Sequence, residues 1–246
     1  MGLLDYFSKD KRVERGFDRA VRNVLRKTRA KDERMDEPIS YLAEIGTDEA
    51  LLALLRRYDI IIRSDSMDRF EKELICSLLV EKGARAIPPI RTFLGESENV
   101  TWPIQALRSI TTEDQVIEIL LDVLSREVGK DSFKPDKKVR LLELLEDHID
   151  SRVPPVVVGA LVDFDETVRF RAVELLFAQG GEAAAREPLL ALLTDEEEES
   201  QRIRNRILTG FVETGWTVKG FRKAVEAVIG KTQWIDRQGR IKQRGA

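Results

Sequence analysis

Apolar residues recur every three or four positions through most of this chain, and short polar intervals break the runs. Leu51, Leu54, Leu55 and Tyr58 form one stripe, opened by Thr47; Phe70, Leu74, Leu78 and Leu79 form the next, opened by Ser66 and stopped by Gly83. A period near 3.6 residues predicts amphipathic helices with one face turned to a core. Thr112 with Gln115 reads as a capping box, hydroxyl and amide satisfying orphan N–H groups reciprocally, ahead of Val116, Ile119, Leu120 and Leu124. Asp165 caps the stripe Val168, Ala172, Leu175 and Leu176. Leu189, Leu192 and Leu193, then Ile203, Ile207, Leu208 and Phe211, then Phe221, Val225, Val228 and Ile229 continue the series. No strand pattern precedes residue 230, after which Trp234 to Lys242 reads as a small hairpin with Asp236 and Gly239 at turn positions.

The stops are spaced almost regularly. Gly46, Gly83, Thr111, Ile149, Gly180 and Gly215 each end one helical pattern, at intervals of 37, 28, 38, 31 and 35 residues. Their mean of about 34 is the length of a two-helix repeat unit. A lone helical pair buries one stripe at best, and short helices are marginal in water. Burying a Leu, Ile or Phe yields about 1.5 to 3 kcal/mol, so each pair offsets its ordering entropy only by packing on its neighbours. The expected architecture is therefore all-α, a right-handed α-α solenoid of five to six helical pairs. A basic cap helix is expected over residues 1–32, the repeats over 33–229 and a basic tail or hairpin over 230–246.

One stretch carries a family resemblance. Pro155, Asp163, Val168, Arg169 and Ala172 fall at the spacing of a HEAT-like repeat, and the segment resembles that family, including the variant shared with bilin-lyase-type repeats. The resemblance implies that Pro155 bends the first helix of the pair and that Asp163 sits in the tight turn. It further implies that Arg169 hydrogen-bonds the turn aspartate of a neighbouring repeat. Val139-Arg140 and Ile203-Arg204 keep the apolar-arginine pair, and Pro89 and Pro188 keep the proline, whereas Trp102-Pro103 departs from the pattern. Pro155, Asp163, Arg140, Arg169 and Arg204 thus read as a structural ladder, since bonds between these arginines and turn carboxylates explain their recurrence.

Charge sharpens the functional reading. The net charge is −3, yet residues 1–35 hold eleven Lys/Arg against six Asp/Glu and residues 230–246 hold five against one, which leaves the middle strongly acidic. Such a middle repels nucleic acid, so no nucleic-acid partner is expected there. The first helix, read as Arg12 to Arg29, sets Val13, Phe17, Val21, Val24 and Leu25 against Arg15, Arg19, Arg22, Arg26 and Arg29. It is read as the polar-faced cap of the repeats, over Leu3, Leu4, Tyr6 and Phe7, with contact to an anionic surface as its other use. The acidic run Asp195 to Glu199 is read as a solvated stretch favouring the positive end of the next helix.

Candidate chemistry is sparse. The single cysteine, Cys76, allows no intrachain disulfide and no multi-cysteine zinc site, and it points to a reducing compartment. His148 is the only histidine; it cannot build a multi-histidine metal centre and reads as a helix C-terminal cap. Cys76 reads as an inert packing residue. No metal, cofactor or catalytic residue is expected, since no phosphate loop, nucleophile elbow or zinc-helix motif appears. The start, MGLLDYFSK, lacks a secretory leader and no apolar run approaches the roughly 20 residues of a membrane span, so a cytoplasmic location is expected.

The leading expectation is a non-enzymatic scaffold or adaptor. Its concave face, lined by second helices with Lys137, Arg171, Arg202 and Arg206, holds a protein segment. Trp102, Phe170, Phe177 and Trp216 are the aromatics nearest that groove. Phe170 is the first choice, because it lies off the Val168, Ala172, Leu175 stripe and next to Arg171. Two alternatives stay open. One is a nucleic-acid-binding, DNA glycosylase-like protein, which needs an aspartate beside groove-facing tryptophans; the other is a bilin lyase-like protein, which rests on the repeat resemblance alone.

Overall fold

Thr47 shows how the sequence pattern becomes backbone. It stays extended, its hydroxyl accepts from the Ala50 N–H at 3.3 Å, and a helix follows whose Leu51, Leu54 and Leu55 are wholly buried. The computed structural model describes residues 3–26, 36–62, 64–129 and 135–243, with side chains of the first helix described from Glu14 onward. Those residues are overwhelmingly helical and divide into two compact units, Met1–Ile119 and Leu120–Ala246.

The first unit contains α1 (Leu3–Val24), α2 (Asp36–Ile45), α3 (Asp48–Leu55), α4 (Asp65–Lys82), α5 (Ile87–Glu96), α6 (Thr101–Ile110) and the start of α7 (Glu113–Glu127). Helix α1 begins and ends earlier than the charge pattern predicts. It packs on α2 and α3 with Ala20 and Val24 buried, while Arg15, Arg19 and Arg22 face solvent. Residues 27–29 of the expected helix, and the side chains of Leu3, Leu4, Tyr6 and Phe7, lie outside the described residues. Helix α3 packs on α5 and α4 on α6, so like-placed helices are neighbours.

Helix α4 opens one residue before Ser66, behind Ser64. Its buried face is partly ionic: Arg57 donates through Nε and Nη2 to one Glu71 oxygen at 2.9 and 2.8 Å, both side chains being fully enclosed. Beside that pair Lys72 meets Asp68 at 2.6 Å. Tyr58 donates its hydroxyl to the Lys72 carbonyl at 3.5 Å and lies between the rings of Phe93 and Trp102. The expected capping box of α7 forms by half: the Thr112 hydroxyl accepts from the Gln115 N–H at 3.4 Å, but the Gln115 side chain pairs with the Thr111 hydroxyl instead.

The second unit contains the end of α7, then α8 (Asp136–Glu146), α9 (Val153–Val157) running on as 3-10 helix Val158–Val162, α10 (Glu166–Gln179), α11 (Glu182–Thr194), α12 (Gln201–Thr214) and α13 (Arg222–Val228). Packing follows a two-row order. Helix α10 lies between α8 and α12, while α11 lies between α9 with its 3-10 extension and α13. Asp165 caps α10 as expected, accepting from Thr167 and Val168 N–H groups at 2.8 and 3.2 Å. Gly180 and Gly215 end α10 and α12 at φ +67° and +70°, a left-handed turn that a side chain disfavours.

Pro155 does not bend a helix. It stands with Pro154 in the first turn of α9, where a missing N–H costs nothing, and the helix runs on into 3-10 geometry only after Val157. Helices α10 and α12 approach closely because position 210 is glycine: a Cβ there would sit 2.3 Å from Phe177 Cζ. Phe177, Phe211 and Trp216 interlock over this contact at centroid distances of 5.4 to 6.0 Å.

The hairpin forms as read from the sequence. Strands β1 (Gln233–Ile235) and β2 (Ile241–Gln243) pair antiparallel, Trp234 opposite Lys242, and the Asp236 carboxylate accepts from the Gln238 and Arg240 N–H groups at 2.9 Å. Arg222 of α13 donates to the Ile235 and Asp236 carbonyls at 3.0 Å, which seats the hairpin on the last helices. No described helix is long and apolar enough to cross a membrane.

Candidate recognition surface

Helices α8, α10 and α12 repeat one pattern, and the structure fixes its register. Leu141, Leu142, Leu144 and Leu145 occupy the buried places that Ala172, Val173, Leu175 and Leu176 hold in α10. Lys137-Lys138 therefore corresponds to Val168-Arg169, two residues before the Val139-Arg140 pair that the sequence suggests. The contacts agree: Lys138 Nζ bonds the Asp163 carboxylate at 2.6 Å, and Arg169 bonds Glu198 through Nε and Nη2 at 2.8 and 3.0 Å. Each cation thus reaches the acidic residue of the following turn.

Arg169 also donates through Nη1 to the carbonyls of Asp163 and Phe164, at 2.9 and 3.0 Å, and Arg204 donates through Nη2 to those of Asp195 and Glu198, at 2.7 and 2.9 Å. Arg169 and Arg204 each fasten the turn before their own helix, and among the described residues Arg169 alone of the two also meets a carboxylate, whereas Arg140 pairs with Glu143 of its own helix at 3.1 Å. Sequence reasoning missed Lys138 and Glu198. Lys138 hid behind an apparent Val-Arg match, and Glu198 sat in a run of acids. Only Glu198 in that run is buried, at 5% exposure. Burial pushes its carboxyl up, but hydrogen bonds from Arg169 and the Ser200 N–H hold it below the usual range.

The expected binding residues separate into two groups. Lys137 is 3% exposed and bonded to Glu127 at 3.1 Å, because it fills the inward place of Val168; it lines no surface. Arg171, Arg202 and Arg206 share the outer face of α10 and α12. Arg171 bridges Glu174 and Glu143 at 2.8 and 3.5 Å. Arg202 Cζ lies over Phe170, 3.6 Å from the ring centroid, and that of Arg206 stands 5.2 Å from the Phe177 centroid.

Phe170 is consequently not an exposed anchor. It is 8% accessible and serves as the floor on which Arg202 rests. Phe177 and Trp216 are equally covered, and Trp102 stacks on Tyr58. What the face offers is three arginines, two of them set against aromatic rings and two paired with glutamates.

Other candidates are weaker. In the first unit an open groove of about 390 Å³ lies between α1 and α2, with Arg19, Asn23, Glu37 and Tyr41 in its walls. Burial raises the Cys76 thiol, which makes it a poor nucleophile. The His148 carbonyl accepts from Gln179 Nε2 at 2.6 Å, tying the end of α8 to α10. Among the described residues no three His, Cys, Asp or Glu side chains are grouped to hold a metal. No family model, curated protein or solved structure matches this chain.

Proposed function

We propose that this chain is a HEAT-like interaction module, an α-α solenoid without catalytic activity, in which the outer face of α8, α10 and α12 holds an acidic segment of a partner protein. The supporting observation is the pair of stacked arginines: Arg202 on Phe170 and Arg206 on Phe177 place two oriented cations on neighbouring turns of one helix. Stacking removes part of the rotamer entropy that a free arginine loses on binding. Glu143, Glu174 and Glu213 pair with Arg171 and Arg206 on the same face, so an incoming carboxylate displaces a partly exposed glutamate, whose charge is then taken up by water.

The glycosylase-like and bilin lyase-like readings draw no support from the site. The first needs groove-facing tryptophans, and Trp216 is enclosed by Phe177 and Phe211. Fluorescence anisotropy with a labelled amphipathic Glu/Leu peptide tests the proposal. Binding by the native chain, weakened about tenfold in Arg202→Ala/Arg206→Ala at unchanged melting temperature, is expected. Equal affinity of the two proteins, or none in either, overturns it.

A further inference from the structure

Val162 and Phe164 are the two most exposed large apolar side chains among the described residues, at 84% and 86%. They flank Asp163, whose backbone is extended and whose carboxylate is buried against Lys138 at 2.6 Å. Val162 closes the 3-10 helix and Phe164 follows the extended Asp163, so the inward-turned carboxylate stands between two apolar side chains that both face solvent.

The turn that presents them is held from several directions. Arg169 Nη1 donates to the Asp163 and Phe164 carbonyls, the Asp163 carboxylate also accepts from the Asp165 N–H at 3.1 Å, and Asp165 caps α10. A bulky apolar pair on a fixed backbone has little entropy left to lose on contact, the condition under which an aromatic becomes a binding anchor. In a mobile turn the same residues would collapse against the nearest apolar surface.

The surroundings select the partner. Arg169 draws the turn at residues 195–200 alongside through Glu198, and the Ser200 hydroxyl pairs with Glu166 at 2.8 Å. Exposed Glu166, Glu196, Glu197 and Glu199 thus stand on the same edge. The cations beside it are engaged: Lys138 and Arg169 pair with buried carboxylates, Arg204 donates to the Asp195 and Glu198 carbonyls, and Arg202 leans onto Phe170.

We propose that this acid-ringed apolar pair docks a basic amphipathic segment of another protein. Phe164 and Val162 enter its apolar face while the carboxylates meet its lysines or arginines. The site is separate from the arginine face and takes a ligand of opposite charge.

The full chain is titrated into a labelled amphipathic Leu/Lys peptide, with Leu/Glu and Ser/Lys peptides as controls, at about 0.15 M salt. Preference for the Leu/Lys peptide, and an affinity loss of about tenfold in Phe164→Ser with Val162→Ser intermediate, supports the proposal. Both variants should melt like the native chain, since neither side chain is packed. Arg202→Ala/Arg206→Ala should leave this affinity unchanged, which keeps its outcome independent of the acidic-segment reading. Undiminished binding by Phe164→Ser, equal binding of the Ser/Lys peptide, or no binding by the native chain overturns it. So does self-association in sedimentation that Phe164→Ser abolishes, because the occupant is then a second copy.

Discussion

Glu198 is subject to two opposing influences, and their balance can be measured. Burial favours its neutral form, while the bidentate contact with Arg169 and the Ser200 N–H favours the anion and prevails. A carboxyl whose folded value lies below its unfolded one contributes stability fully above the unfolded value, near 4.5, and loses it as pH falls through the folded value. Glu198→Gln keeps an acceptor oxygen for Arg169, which also holds the Asp163 and Phe164 carbonyls, but removes the negative charge, and is expected to cost about 2 kcal/mol near neutrality, the worth of a hydrogen bond to a charged group. The difference in melting temperature between the two proteins should shrink below about pH 4.5. A difference independent of pH would show that the carboxylate does not act as an anion there. At this scale the sequence was only partly legible. Asp163 and Asp165 took the roles their turn positions indicated, but Lys137 fills an apolar place by pairing with Glu127, and no local pattern announces a buried lysine.

Helices were the most legible elements, because caps and apolar spacing act within a few residues. The register between helices was not, since it depends on which residue of a cationic pair turns inward, and Val139-Arg140 imitated the pattern that Lys137-Lys138 occupies. Phe170 failed for a related reason: being off the apolar stripe exposes a residue only if nothing lies above it, and Arg202 arrives from α12, packed alongside and 32 positions on. Helix contact also depends on small residues that periodicity ignores. Gly210→Ala places a methyl 2.3 Å from the Phe177 ring. Overpacking is expected to destabilise by about 1 to 3 kcal/mol, less about 1 kcal/mol gained in helix propensity. Urea unfolding should show that cost falling when Phe177→Leu provides room; an undiminished cost would place the strain elsewhere.

For the whole molecule, composition and the regular stops foretold a helical chain with a terminal hairpin, and the described residues have that content. Function was far less legible. The signals sought were catalytic motifs and exposed aromatics flanked by arginine, whereas the most exposed large apolar residues among those described, Val162 and Phe164, are ordinary apolar positions on either side of an aspartate turned inward. The charge excess at residues 1–35 gave the basic outer face of α1, because exposed arginines need no partner to be read.

The guanidinium of Arg169 belongs to two helical pairs at once, fastening the turn of its own and receiving the acid of the next. A border between pairs is therefore not a place where the chain can be cut cleanly. A fragment stopped at Gly180 keeps every residue of α10 yet removes Glu198, Phe211 and Trp216, leaving a stranded cation and a bare aromatic ring. Amide exchange across α10 is expected to rise by orders of magnitude in that fragment relative to the intact chain. Cooperation between neighbours, rather than the merit of any one helix, is what keeps this segment shut.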